Sequence, residues 1–157
     1  MTVAVKIVTT AKTWVGTKYH HQGRLKKTDI HLGGVDCFGL VMGVAKELGI
    51  AGMGGKPLVQ YDRFDYAMFP DGARLKEFLD KHLNLANKIR SGDIMLFSFF
   101  GNPQHLGIVS NVIADDKIEI IHCYSGSGMV VQHYLSPAWI RMISGIYHFR
   151  KHSICTK

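Results

Sequence analysis

Apolar residues recur at helical spacing from the start of the chain, at Val3, Ile7, Ala11 and Trp14, which predicts an amphipathic first helix ending before Gly16. Residues 16 to 34 are rich in His, Lys and Gly without sustained periodicity, so they read as a loop. At Asp36 the pattern changes. Leu40, Val44 and Leu48, with Val41 and Ala45 beside them, mark a second helix that Asp36 caps and Gly49 stops. Residues 51 to 72 carry glycines, two prolines and several aromatics, and read as an irregular excursion packed by its own side chains. A third, shorter helix is predicted over about Gly72 to Leu83.

From Asp93 onward the pattern is that of strands. Ile94 to Phe100, Leu106 to Val112, Ile118 to Tyr124, Met129 to Tyr134 and Ile143 to Phe149 are short β-branched or aromatic runs separated by turn signals. Ser136-Pro137 suits the cap and first position of a short helix carrying Trp139 between the last two strands. Helices first and strands afterwards predict an α+β fold, N-terminal helices packed on one face of a C-terminal antiparallel β-sheet of about five strands.

Composition narrows the class. With 157 residues, 46% hydrophobic and 20% charged, the chain has material for one core, and no linker, repeat or low-complexity run divides it, so 1–157 reads as a single domain. Lys6 and Lys12 interrupt the N-terminal stretch, which predicts synthesis in the cytoplasm without a secretory signal. No segment reaches the roughly 18 to 20 apolar residues of a membrane span. The formal charge of +7 is diffuse, densest at Arg24, Lys26 and Lys27, and lacks the interleaved aromatic and basic motif of a nucleic-acid binder. Three cysteines, Cys37, Cys123 and Cys155, cannot all pair within one molecule, and free thiols are expected.

Cys37 directly follows the predicted cap Asp36. A thiol in the first turn of a helix meets unpaired N–H groups that favour the thiolate, and Gly39 is expected to leave room for a substrate to approach. A thiol nucleophile needs an imidazole partner and a third polar group to orient that imidazole. His105 opens one predicted strand and His122 lies near the end of the next. If residues 111 to 116 form the hairpin loop, His105 faces His122. A two-residue turn at Asp115-Asp116 instead places His122 opposite Val109, on the same face but further away.

Five segments carry a resemblance: Gly16-Thr-Lys-Tyr19, Val35-Asp-Cys-Phe-Gly-Leu40, Ser91-Gly-Asp-Ile-Met-Leu-Phe97, His105-Leu-Gly-Ile-Val109 and Ile120-Ile-His-Cys123. In this order they resemble the signature blocks of the NlpC/P60 cell-wall hydrolases, over about Thr10 to Arg150. The resemblance implies a papain-like fold and a cysteine peptidase or amidase acting on peptidoglycan stem peptides, with no cofactor. Carried over by position, Cys37 is the nucleophile, His105 the general base and acid, and His122 the residue that orients His105. Tyr19 matches a tyrosine beside the cysteine that helps bind the oxyanion, and Asp36 the acidic residue before the nucleophile, either a cap or a substrate-binding group. Lys18 stands where many relatives have proline. Phe38 replaces a small residue, which puts the pocket's shape in question.

A finer resemblance is to the phage-tail branch, through Trp14 to Gly23, Val130 to His133 and Trp139 to Arg141. It implies phage tail proteins as partners and carriage in a tail particle. Competing readings are a non-catalytic tail-assembly module and an intracellular amidase or acyltransferase with the same residues. Zinc is disfavoured because the Cys and His residues lack close-spaced ligand pairs. Gly52-Met-Gly-Gly-Lys56 lacks the first glycine and the Ser/Thr of a phosphate loop, and reads as a plain loop.

Overall fold

The computed structural model describes residues 1–67 and 71–150; Cys155 and part of the 51 to 72 excursion lie outside these. Helix α1 (Val3–Lys12) starts at Thr2, whose hydroxyl accepts the Val5 N–H, and buries Ile7 and Ala11. Helix α2 (Cys37–Leu48) is the central helix. Its cap Asp36 accepts the Gly39 N–H, and Gly49 ends it with φ of 62°, a left-handed conformation that glycine adopts without steric cost. Seven of its residues are buried, on more than one face, so it is a core helix and not a surface one.

The stretch between α1 and α2 is more ordered than its composition suggests. β1 (Arg24–Leu25) and β2 (Gly34–Val35) pair antiparallel, and Tyr19 bridges Val35 in parallel. Strands of two residues carry no periodic signal, so nothing in the hydrophobic pattern could reveal them. Past α2, the excursion forms 3-10 turns at Met53–Gly55 and Leu58–Tyr61, with Leu58 inserted into the main core. Helix α3 (Gly72–His82), capped by Asp71, follows.

Six strands form the main sheet in the order β3-β8-β4-β5-β6-β7: β3 (Asn84–Leu85), β4 (Ile94–Phe99), β5 (Asn102–Ala114), β6 (Lys117–Cys123), β7 (Val130–Tyr134) and β8 (Ile143–His148). Five are those the alternation predicts; the sixth, β3, is again only two residues long. All described pairings in the sheet are antiparallel. One face, through Ile94, Leu96, Leu106, Ile108, Ile121 and Cys123, joins Leu40, Val44, Trp14 and Leu79 of the helical layer in a single core. Met95, Phe97, Val109, Ile118 and Ile120 point the other way, where Trp139 and Ile140 of α4 (Pro137–Arg141) pack over them. Ser136 caps α4 by accepting the Trp139 N–H, as its Ser-Pro start predicts. Among the described residues no helix is long and apolar enough to cross a membrane.

Candidate active site

Cys37 is the first residue of α2. It is partly exposed and opens on a cavity of about 430 Å³ whose walls also include Tyr19, Phe38, Tyr66, His105, Cys123 and Tyr124. Three backbone N–H groups bear on its sulfur, those of Leu106, Phe38 and Cys37 itself. Tyr19 reaches the same cavity because residues 18 to 20 run alongside β2, with Val35 N–H donating to the Lys18 carbonyl and His20 N–H to the Val35 carbonyl. Gly39 has a different role from the one expected. A Cβ there would lie 2.2 Å from the Gly23 carbonyl oxygen and 2.9 Å from Arg24 Nη1, so the space is filled by the protein's own loop. Phe38 packs edge-on against Tyr66 and Phe78 and forms an aromatic wall of the cavity.

His105 and His122 meet. Nε2 of His105 is 2.8 Å from Nδ1 of His122, and Nε2 of His122 is 2.7 Å from Nε2 of His133 on β7. The β5–β6 turn is the tight one at Asp115-Asp116, with Ala114 paired to Lys117. Register shifts between Val109 and Asn111 and between Val112 and Ala114 then move His122 from the position opposite Val109 to the one opposite Gly107. Each extra residue on a bulged strand slides the pairing by one. Gly107 presents no side chain, and the His122 ring leans diagonally toward His105 two residues away, within reach of a long side chain. Around the two rings stand Trp139, at 5.6 Å from His105 and 5.0 Å from His122, together with Phe97, Phe99 and Tyr124.

Burial governs the charge state. It pushes the Cys37 thiol up to about 12, helped by the neighbouring Asp36 carboxylate, and outweighs the N–H groups that pull the other way. Burial pushes His105 down to about 3; His122 falls to about 2 through burial and the neighbouring imidazoles His105 and His133. The lowered thiol pKa expected from a helix start is therefore not found, because desolvation disfavours the thiolate more than the helix end favours it. Thiol and imidazole rest in their neutral forms. Tyr19 is raised, by burial first and then by the neighbouring Asp36 carboxylate, so its hydroxyl keeps its proton. Cys123 stays a thiol as well: its sulfur donates to the Val35 carbonyl at 3.3 Å, and burial raises it to about 12.

Asp36 is largely buried and serves as more than a cap. Its two oxygens accept from the N–H groups of Gly39 and Gln22, each at 2.8 Å, and from the Tyr66 hydroxyl at 2.5 Å. Arg24 Nη1 stands 3.4 Å away. Arg24 also binds Asp62 through Nε and Nη2 at 2.9 to 3.1 Å and stacks over Phe38, Phe64 and Tyr66. This network ties the loop before the nucleophile to the excursion after α2.

The structure thus gathers Cys37, His105, Tyr19 and Asp36 around one cavity, with His122 behind His105. Sequence reading missed His133, Trp139, Arg24 and Tyr66 as parts of the site. His133 shares an alternating face with Val131, opposite His122, so a strand register would have found it. Arg24 and Tyr66 carry no local signal, since each acts on a residue 12 or 30 positions away.

An α2 bearing a thiol at its start, packed on an antiparallel sheet bearing histidines, defines a papain-like α+β fold. It is the fold of the NlpC/P60 proteins. Over 94% of its length the chain superposes on an NlpC/P60 family protein from Bacillus cereus, with a TM-score of 0.60 and 19% identity. It superposes likewise on the NlpC/P60 domain of the peptidoglycan hydrolase SagA, with a TM-score of 0.54 and 14% identity. An N-acetylmuramoyl-L-alanine amidase from Bacteroides uniformis gives a TM-score of 0.55 at 17% identity. The chain spans 40% of the Bacillus cereus protein but all of the SagA domain and 99% of the amidase. No protein-family model matches the chain, and no curated protein does.

Proposed function

We propose that the chain is a cysteine hydrolase that cleaves peptide or amide bonds of peptidoglycan, with Cys37 as nucleophile, His105 as general base and acid, and His122 as the orienting residue. The observation that carries this reading is the opening of Cys37 and His105 on one cavity, with His105 hydrogen-bonded to His122, in a fold shared with peptidoglycan hydrolases. A structural cysteine requires no imidazole relay behind it.

Because both groups rest neutral, the reaction starts with a proton transfer as the bond forms. The Cys37 thiol gives its proton to His105 while Sγ attacks the carbonyl carbon, and the carbonyl π electrons move onto oxygen. The Cys37 N–H and the Tyr19 hydroxyl donate to that oxyanion. As the tetrahedral intermediate collapses, the C–N bond breaks, and His105 delivers its proton to the leaving amine. Water, deprotonated by His105, then attacks the thioester; the C–S bond breaks, and Cys37 recovers its proton as the acid product leaves. Trp139, Phe97 and Phe99 keep solvent from the imidazole, which holds it in the neutral form that can accept the thiol proton.

The finer reading is a phage-tail enzyme, supported by the segments Trp14 to Gly23, Val130 to His133 and Trp139 to Arg141. Incubation with purified peptidoglycan and mass analysis of the soluble fragments tests the function. Fragments with a new peptide amine and a new carboxylate are expected. No released fragment at any enzyme concentration would overturn the assignment.

A further inference from the structure

The hydrogen-bonded imidazoles do not stop at His122. His122 Nε2 meets Nε2 of His133 at 2.7 Å, and Nδ1 of His133 lies 2.8 Å from the carbonyl oxygen of Tyr134. A carbonyl oxygen can only accept, so His133 Nδ1 must carry a proton. A neutral imidazole has one N–H, which leaves His133 Nε2 as an acceptor. His122 therefore donates from Nε2 and accepts at Nδ1, and His105 in turn donates from Nε2. Of the six ring nitrogens of His105, His122 and His133, Nδ1 of His105 is the one left with a free lone pair.

We propose that His133 is a positioning residue that fixes the tautomer of the catalytic base: the Tyr134 carbonyl, acting through His133 and His122, holds His105 with its basic nitrogen at Nδ1. The Cys-His-His set becomes a four-residue relay whose last member sits on β7. The sheet supplies the alignment. His122 pairs with Val131 and Ile120 with His133 across β6 and β7, so His133 reaches His122 along the same diagonal by which His122 reaches His105. Were the His122 ring to hold its proton on Nδ1, it would donate to His105 Nε2, and the His105 proton would move to Nδ1. His105 could then no longer accept a proton through that nitrogen, a fault known to cost a catalytic histidine up to about four orders of magnitude.

This inference rests on the reading of Cys37 and His105 as nucleophile and base, but its first test does not need activity. In the full chain with ¹⁵N-labelled histidine, long-range proton–nitrogen correlation at neutral pH assigns each tautomer. His105 and His122 are expected protonated at Nε2 and bare at Nδ1, and His133 protonated at Nδ1. Finding His105 protonated at Nδ1 would overturn the proposal. In His133→Phe, which keeps a ring but offers no acceptor, the His122 and His105 signals should shift toward the other tautomer. Turnover should fall about tenfold or more through kcat with KM little changed, the scale of one lost hydrogen bond. His133→Gln, whose amide oxygen can accept from His122, should restore both signals and rate. Unchanged His105 and His122 signals in His133→Phe would reject the relay even if turnover fell. If Cys37→Ala retained turnover, the catalytic reading would fall while the tautomer pattern stood or fell by its own spectrum.

Discussion

Acidification should destabilise the fold through the two buried histidines, by an amount that follows from their surroundings. His105 and His122 are almost without solvent contact, and burial holds them down near 3 and near 2 from an ordinary value of 6.5. The unfolded chain takes up a proton at each as pH falls below about 6.5, whereas the folded chain does not until about pH 3. The folded pKa is depressed, so the stabilisation is complete above 6.5 and is lost as pH drops toward the folded values. Each site removes about 1.4 kcal/mol per pH unit in that window, so the pair removes about 2.7. From pH 6.0 to 4.5 that is about 4 kcal/mol, a large part of the 5 to 15 kcal/mol of a typical domain. Urea unfolding followed by far-UV circular dichroism at half-unit pH steps gives the slope. Other groups contribute, among them His82, lowered by burial, and Asp93, raised by it, so the comparison is with His122→Gln. That variant should show a slope shallower by about 1.4 kcal/mol per pH unit or more between pH 6 and 4. Parallel curves would refute the claim that the histidines are buried and uncharged.

Alkylation of Cys37 by iodoacetamide, read peptide by peptide by mass, should rise about tenfold per pH unit from pH 6 to 9 without an acid plateau; a plateau near pH 6 would indicate a preformed thiolate–imidazolium pair. Gly39→Ala should destabilise the fold by about 1 to 3 kcal/mol, because its Cβ would meet the Gly23 carbonyl at 2.2 Å, and should reduce turnover by moving the loop against α2; a thermal midpoint equal to wild type would contradict this. Arg24→Leu leaves the carboxylates of Asp36 and Asp62 without their shared cation. Its cost, measured by denaturant unfolding at neutral pH, should be about 3 kcal/mol, the lower end for a broken buried ion pair.

Helices α1 and α2 and the five longer strands were legible because their apolar residues follow a regular period or form compact β-branched and aromatic runs, and the nucleophile helix was legible down to its cap Asp36 and stop Gly49. The register of β5 on β6 was not. Neither the paired-off loop nor the tight turn alone gives His122 opposite Gly107; the tight turn plus two bulges does, and bulges leave no mark in hydrophobic alternation. The candidate site was legible where residues sit in consecutive motifs, as with Cys37 after Asp36 and His105 at the head of a strand. It was illegible where distant polar groups converge, as with Arg24 joining Asp36 and Asp62, or where β7 carries His133 to the back of His122. The protonation of the thiol also lay beyond sequence reading, since the helix end is a local feature and desolvation depends on the whole fold.

Cys37→Ala, compared with wild type on the same purified peptidoglycan, tests the central claim most directly, with circular dichroism verifying that both are folded. Release of soluble peptide fragments, quantified by mass, is expected from wild type and absent from Cys37→Ala beyond the no-enzyme control. Equal release by the two proteins would show that Cys37 is not the nucleophile.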